Sequence, residues 1–203
     1  MFKHEVIDNF MNEYDFNELC SLNLSEVENN KKKVYNNRVF KNGTIESSCI
    51  DKNTVKRLHE NYHPIAIKLL RKFAPEKEDL YEYSDFHIVV SGKNHSYPIH
   101  SDTLNKLLSG VIYLKPDSNH GTVLYNKNKN KSKKIDWKIN RGFFFSRSDE
   151  TLHSYKSDNV SQRVTLIYNL MTTNIKGVCK AEKKYYFYFL IKNFISKLFN
   201  KIF

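Results

Sequence analysis

The chain of 203 residues carries 33 Lys and Arg against 22 Asp and Glu, a formal net charge of +11. Its length suits one domain with a core of its own, and three widely spaced cysteines (Cys20, Cys49, Cys179) with no CxxC exclude a disulfide framework or a zinc ribbon. The charge is local: Lys127, Lys129, Lys131, Lys133 and Lys134 supply +5, residues 176–203 supply +6, and the remainder sums to zero. Lys and Asn together form about a quarter of the chain, a bias typical of AT-rich coding sequence. Both facts weaken any step from charge to nucleic acid, which is not expected as a partner. Charged residues between Lys3 and Asp8 stand where a secretory signal needs an apolar run, so a reducing, cytoplasmic setting is expected.

In chain order, residues 3–20 place Val6, Ile7, Phe10, Met11, Tyr14 and Leu19 close to helical spacing and predict a helix. Polar residues 25–33 lead into a predicted hairpin, Val34–Phe40 and Thr44–Ser47 around a Lys41-Asn42-Gly43 turn. Residues 53–73 predict a helix capped by Asp51 or Asn53, with Leu58, Ile65, Leu69, Leu70 and Phe73 on one face. Pro64 should kink this helix or start a new one. Phe86–Val90 reads as a strand, with His87 alternating with Ile88 and so on an outer face.

Four further apolar runs read as strands: Ser109–Pro116, Gly121–Tyr125, Arg141–Ser146 and Val164–Leu170. Phe144 should face one side of its strand, and Phe143 and Phe145 the other, all as core. Residues 126–134 carry no apolar periodicity; they predict a solvated loop or a basic rim, with Trp137 anchoring the strand that follows. From Ala181 to Phe203, Phe187, Leu190, Ile191, Phe194, Ile195, Leu198 and Phe199 recur at helical spacing with Lys192, Lys197 and Lys201 between them. Lys192 interrupts the run, so a membrane span is not predicted. This basic amphipathic helix is expected to pack on the domain, to form a homodimer seam, or to rest on an anionic membrane surface.

The chemistry lies in Tyr97-Pro-Ile-His100-Ser-Asp102, answered by His153 and then by Arg163-Val-Thr165. Two histidines and an aspartate are a ligand set for non-haem Fe(II) that leaves coordination positions open. On a strand, residues two apart share a face, so His100 and Asp102 pair, and Arg163 pairs with Thr165. His153 is far enough along to return on another strand. Arg163 has no acidic neighbour in sequence and sits beside Val164, Leu166 and Ile167, which points it inward. A metal triad followed by one inward arginine suits an enzyme that uses a small dicarboxylate co-substrate.

The order HxD, Tyr-Leu-Lys-Pro116, Gly121-Thr-Val-Leu-Tyr125, Gly142-Phe-Phe, His153, Arg163-Val-Thr165 resembles the Fe(II)/2-oxoglutarate-dependent oxygenases, prolyl-hydroxylase-like branch, over residues 85–172. The resemblance implies a mainly β fold with flanking helices, built on a double-stranded β-helix or jelly-roll core. It divides the chain into residues 1–80 (N-terminal helices and outer strands), 81–175 (catalytic core) and 176–203 (C-terminal basic amphipathic helix). It makes His100, Asp102 and His153 the iron ligands, Arg163 the partner of the far carboxylate of 2-oxoglutarate, and Thr165 a second contact. Tyr97 and Tyr113 become either co-substrate contacts or aromatic wall. The implied cofactors are Fe(II) and 2-oxoglutarate, with ascorbate as a candidate reductant. The implied reaction couples conversion of 2-oxoglutarate to succinate and CO2 with hydroxylation of a peptide side chain, a small metabolite or a sugar. Asp102 stands where halogenating relatives carry a small residue, and Asn169 where the nucleic-acid-dealkylating branch carries a second arginine, so neither variant is expected. The rival readings are a non-catalytic metal-binding jelly-roll module and a nucleic-acid-directed oxygenase.

Overall fold

The computed structural model describes residues 2–187. Along the chain run β1 (Glu5–Ile7), α1 (Glu13–Cys20), β2 (Lys32–Tyr35), β3 (Asn37–Phe40), β4 (Ile45–Ser47), α2 (Lys52–Phe73), a 3-10 helix (Pro75–Leu80) and β5 (Tyr83–Ser91). There follow β6 (Ser96–His100), β7 (Lys106–Lys115), β8 (Thr122–Tyr125), β9 (Lys131–Ile135), β10 (Gly142–Ser146), β11 (His153–Lys156), β12 (Arg163–Met171) and α3 (Ile175–Ala181). An eight-stranded sheet has the order β1-β10-β7-β12-β5-β3-β4, with β2 also paired to β5. A four-stranded sheet has the order β6-β11-β8-β9. Every pairing is antiparallel. Two facing antiparallel sheets with helices on the outside of the larger one are the double-stranded β-helix expected from the sequence.

Alternation along the large-sheet strands assigns each residue to one of two layers. Phe144, Ile112, Leu166, Tyr168, Phe86 and Ile88 face α1 and α2 in the main core. Phe143, Phe145 and Tyr113 point the other way and meet Leu124 and Ile135 of the small sheet. Gly110 is needed where β7 passes under a ring: a Cβ there would lie 2.4 Å from Phe144 Cε1. The predicted helix over 53–73 forms as α2, with Asp51 capping through the amides of Asn53 and Thr54. The predicted 34–47 hairpin forms from residue 37 onward as β3 and β4, with Gly43 at φ +85° in the turn, whereas Val34 and Tyr35 belong to β2 and pair with β5.

Several expectations need correction. Residues 3–20 are not one helix. Asn9 turns the chain with φ 51°, Val6 and Ile7 join the sheet edge against β10, and α1 begins only after the Asn12 cap. Pro64 does not start a new helix; α2 runs through it, and at this exposed position a single missing amide is tolerated inside a helix whose opposite face is buried. That buried face uses Tyr62 and Ala66, while Ile65 is exposed. Residues 126–134 are a loop only as far as residue 130. From Lys131 the chain forms β9, whose exposed lysines occupy the edge of the small sheet while Ile135 anchors it inside. Backbone pairing to β8 needs no apolar pattern, and lysine on an edge strand opposes pairing with another chain. Trp137 anchors the next segment, its indole N–H donating to the Pro116 carbonyl at 2.8 Å.

At the C-terminal end α3 stops at Ala181, residues 182–185 are turn and coil, and Lys183 has φ 53°. The helix expected over residues 181–203 falls outside the described residues from 188 onward. No helix among the described residues is long and apolar enough to cross a membrane.

Candidate metal centre

His100 ends β6, His153 begins β11, and the two lie directly opposite each other in the antiparallel pair. Their rings are 4.3 Å apart, centroid to centroid. Asp102 follows in the unpaired segment before β7, and one ligand atom from each of the three lies within 4.8 Å of the others. The donor set fits a metal. His100 Nδ1–H donates to the Pro98 carbonyl and His153 Nδ1–H to the Thr151 carbonyl, both at 3.0 Å. Those bonds fix the tautomer, so each Nε2 carries a free lone pair, as a ligating imidazole requires.

Asp102 is buried, and burial alone would favour its neutral form. Lys106 Nζ at 2.7 Å from Oδ1, the nearby His153 and Ser109 Oγ at 2.6 Å from Oδ2 reverse this and hold the carboxyl at about 2. The site therefore keeps its anion. Burial pushes the His153 imidazole below its ordinary value, against the pull of Asp102, which favours the neutral form that binds metal.

A cavity of about 550 Å³ opens over the triad, with Arg163 in its wall. Arg163 is 2% exposed, no carboxylate or carbonyl among the described residues bonds its guanidinium, and its Nε is buried without a partner. Aromatic rings flank it: Tyr155 at 4.3 Å, Trp137 at 5.1 Å and Tyr113 at 5.5 Å. Burial pushes its pKa down, and the two tyrosines pull it partly back. A buried, unpaired guanidinium is costly and calls for an anion. Thr165 shares the cavity, fully buried, with Oγ1 unbonded.

Tyr97 lines the cavity with its ring edge-on to His100 at 4.5 Å. Tyr113 sits behind Arg163, stacked on Trp137 at 4.5 Å, with its hydroxyl engaged by Thr122 at 2.8 Å. His87 is not on an outer face. It lines the same cavity, with Nε2 3.1 Å from Asp85, because Phe86, Ile88 and Val90 are the β5 residues turned to the helices. Tyr155 was missed, although it follows His153 by two positions and strand alternation offers that signal. Ser109 was hidden inside an apolar run, and Lys106 four residues past Asp102 had no marker at all.

No protein-family model and no curated protein matches this sequence. Solved structures do match in shape. A Pseudomonas putida prolyl-4-hydroxylase superposes with a TM-score of 0.60 over 86% of this chain and 95% of its own, at 11% identity. IDO from Bacillus thuringiensis gives 0.62 over 84% and 90%, also at 11% identity. A Trichoplax adhaerens prolyl hydroxylase, solved with a hypoxia-inducible-factor peptide fragment, gives 0.56 over 86% of both chains at 15% identity. The chain has the 2-oxoglutarate–Fe(II) oxygenase fold. Within that oxygenase fold, the His100–Asp102–His153 cluster lies between β6 and β11 of the small sheet, and Arg163 opens β12 of the large one.

Proposed function

We propose that this protein is an Fe(II)- and 2-oxoglutarate-dependent dioxygenase that hydroxylates an unactivated C–H of its substrate. The observation that carries this reading is the pairing of a histidine–aspartate–histidine cluster, both Nε2 atoms open, with a buried arginine that has no anionic partner among the described residues. His100, Asp102 and His153 would hold the iron, which supplies the activation of dioxygen that such a C–H requires. Arg163 offers a planar fork to the distal carboxylate of 2-oxoglutarate, and the Thr165 hydroxyl a further bond. The Tyr155, Trp137 and Tyr113 rings keep water from that ion pair and so strengthen it. Ser109 and Lys106 keep Asp102 ionised and oriented. A peptide side chain is the first substrate class by likeness to the prolyl hydroxylases, followed by a small metabolite or a sugar.

Anaerobic loading with Fe(II), then addition of oxygen and 2-oxoglutarate, should release succinate even without the substrate. His100→Ala and His153→Ala should abolish that release and leave the circular dichroism spectrum unchanged. Succinate formation at the wild-type rate in either variant would refute the assignment.

A further inference from the structure

Arg147, immediately after β10, is 6% exposed, and each of its guanidinium nitrogens has a partner. Nε donates to the backbone carbonyl of Asp102 at 2.9 Å, Nη1 to Glu182 at 2.6 Å and Nη2 to Asp149 at 2.5 Å. Glu182, just past α3, is equally buried. Its other oxygen accepts from Lys77 Nζ at 2.7 Å, and Lys77 also donates to the Arg147 carbonyl at 2.6 Å. Lys184 closes the cluster against Glu182 and Asp149.

We propose that Arg147 and Glu182 are positioning residues of the metal centre, and that the segment after α3 is thereby a working part of it. The proposal rests on the reading that His100, Asp102 and His153 hold a metal. Asp102 lies in residues 101–105, which belong to no strand, so no sheet ladder fixes its backbone. Ser109 and Lys106 orient its carboxylate, and Arg147 is the described donor that holds its carbonyl. The same guanidinium grips Asp149, in the loop that presents His153. In that loop Thr151 Oγ1 takes the Ser148 amide, and the Thr151 carbonyl takes the His153 ring proton. One side chain therefore braces the backbones that carry two of the three ligands. Glu182 anchors it from the far end of the chain. Such outer contacts set how well a preformed site binds its metal.

Co(II) serves as the probe, read by its visible d–d bands and by competition with a chelator, on the full-length chain. Arg147→Met should weaken Co(II) binding by about 10–100-fold and alter the band pattern, and Glu182→Gln should shift both in the same direction. Arg147→Lys keeps the charge but cannot reach three partners, and it carries the test if the Met variant fails to fold. Leu58→Ala, a core truncation remote from the cluster, is the control: it should lower thermal stability and leave Co(II) affinity unchanged. Wild-type protein that binds Co(II) no better than His100→Ala would overturn the metal reading itself. Tight wild-type binding with Arg147 and Glu182 variants within twofold of it, or losses matched by Leu58→Ala, would overturn the positioning role alone.

Discussion

Replacing Arg163 by Met should do two opposite things. In the absence of co-substrate the variant should be at least as stable as the wild type, because the native guanidinium is buried among rings with no anion among the described residues to offset its lost hydration. Exchanging a buried charge for an apolar side chain of similar length is commonly neutral or stabilising, by about 1–4 kcal/mol. Binding of 2-oxoglutarate should instead fail. Truncating one side of a buried, hydrogen-bonded ion pair costs about 2–5 kcal/mol, or roughly 30- to several-thousand-fold in affinity. Arg163→Lys retains charge without the fork and should fall between. Thermal unfolding of Zn(II)-loaded protein, with and without 2-oxoglutarate, measures both effects. The wild type should gain about 2.7 kcal/mol at a hundredfold excess over its Kd, and the Met variant less than about 1 kcal/mol at the same concentration. Zinc affinity should not change, since Arg163 bonds none of the triad residues. A Met variant that still binds 2-oxoglutarate with wild-type affinity would refute the reasoning and move the carboxylate to another cavity cation, of which Lys32 and Lys106 are the candidates.

Two predictions concern the scaffold. Asp15 is fully buried and accepts from Arg57, Tyr62, Asn61 and Asn12, bonds that overcome burial and hold its carboxyl low. Asp15→Ala should lose about 3–5 kcal/mol in urea unfolding, and a loss under 1 kcal/mol would contradict its role in joining α1 to α2. The stacked rings of His59 and His63, 4.4 Å apart, lie between α2 and Tyr81, and burial with His59 alongside pushes His63 down to about 4. Both states are neutral above an unfolded pKa near 6.5, and below it the unfolded chain takes up the proton first. Stability should then fall between about pH 6.5 and 4 by at most about 3 kcal/mol from this residue, and level off below. His63→Phe should flatten that slope; an equally steep slope in the variant would show that other groups cause it.

The candidate site was legible because strand alternation does two jobs at once. In β12 the even positions, Val164, Leu166, Tyr168 and Leu170, fill the helix-side core, while Arg163 and Thr165 enter the cavity. Arg163 opens a run that stays apolar at Ile167 as well as at the even positions, which marks a strand covered on both faces and makes its charge visible in one dimension. The same alternation misplaced His87, because polar residues on a strand ordinarily mark the solvent face. In β5 both faces are covered, one by helices and one by the small sheet, and the polar face is the wall of the cavity over the candidate triad. Residues 3–20 failed for a related reason. Val6, Ile7, Phe10 and Met11 satisfy a helical face as well as a short strand and a turn, and only the β10 edge, supplied from more than 130 residues away, decides between them.

What sequence could not supply is the bracing around the ligands. Arg147 stands next to a recognisable strand, but its partners are Asp102, Asp149 and Glu182, brought together from three separate stretches. No periodicity links them, and Arg147 and Glu182 each read alone as a surface charge. The proposed metal site still depends on them. The two histidines, at facing ends of β6 and β11, are fixed by strand pairing, whereas Asp102 stands on unpaired backbone. If the metal is to meet three donors at once, that backbone must be held before the metal arrives, and the structure gives the task to a buried arginine rather than to the sheet. The chain thus spends its regular hydrogen bonding on the histidines and its charge on the aspartate. The ion cluster behind the site is for this reason the place where substitutions invisible to motif reading should change metal binding most.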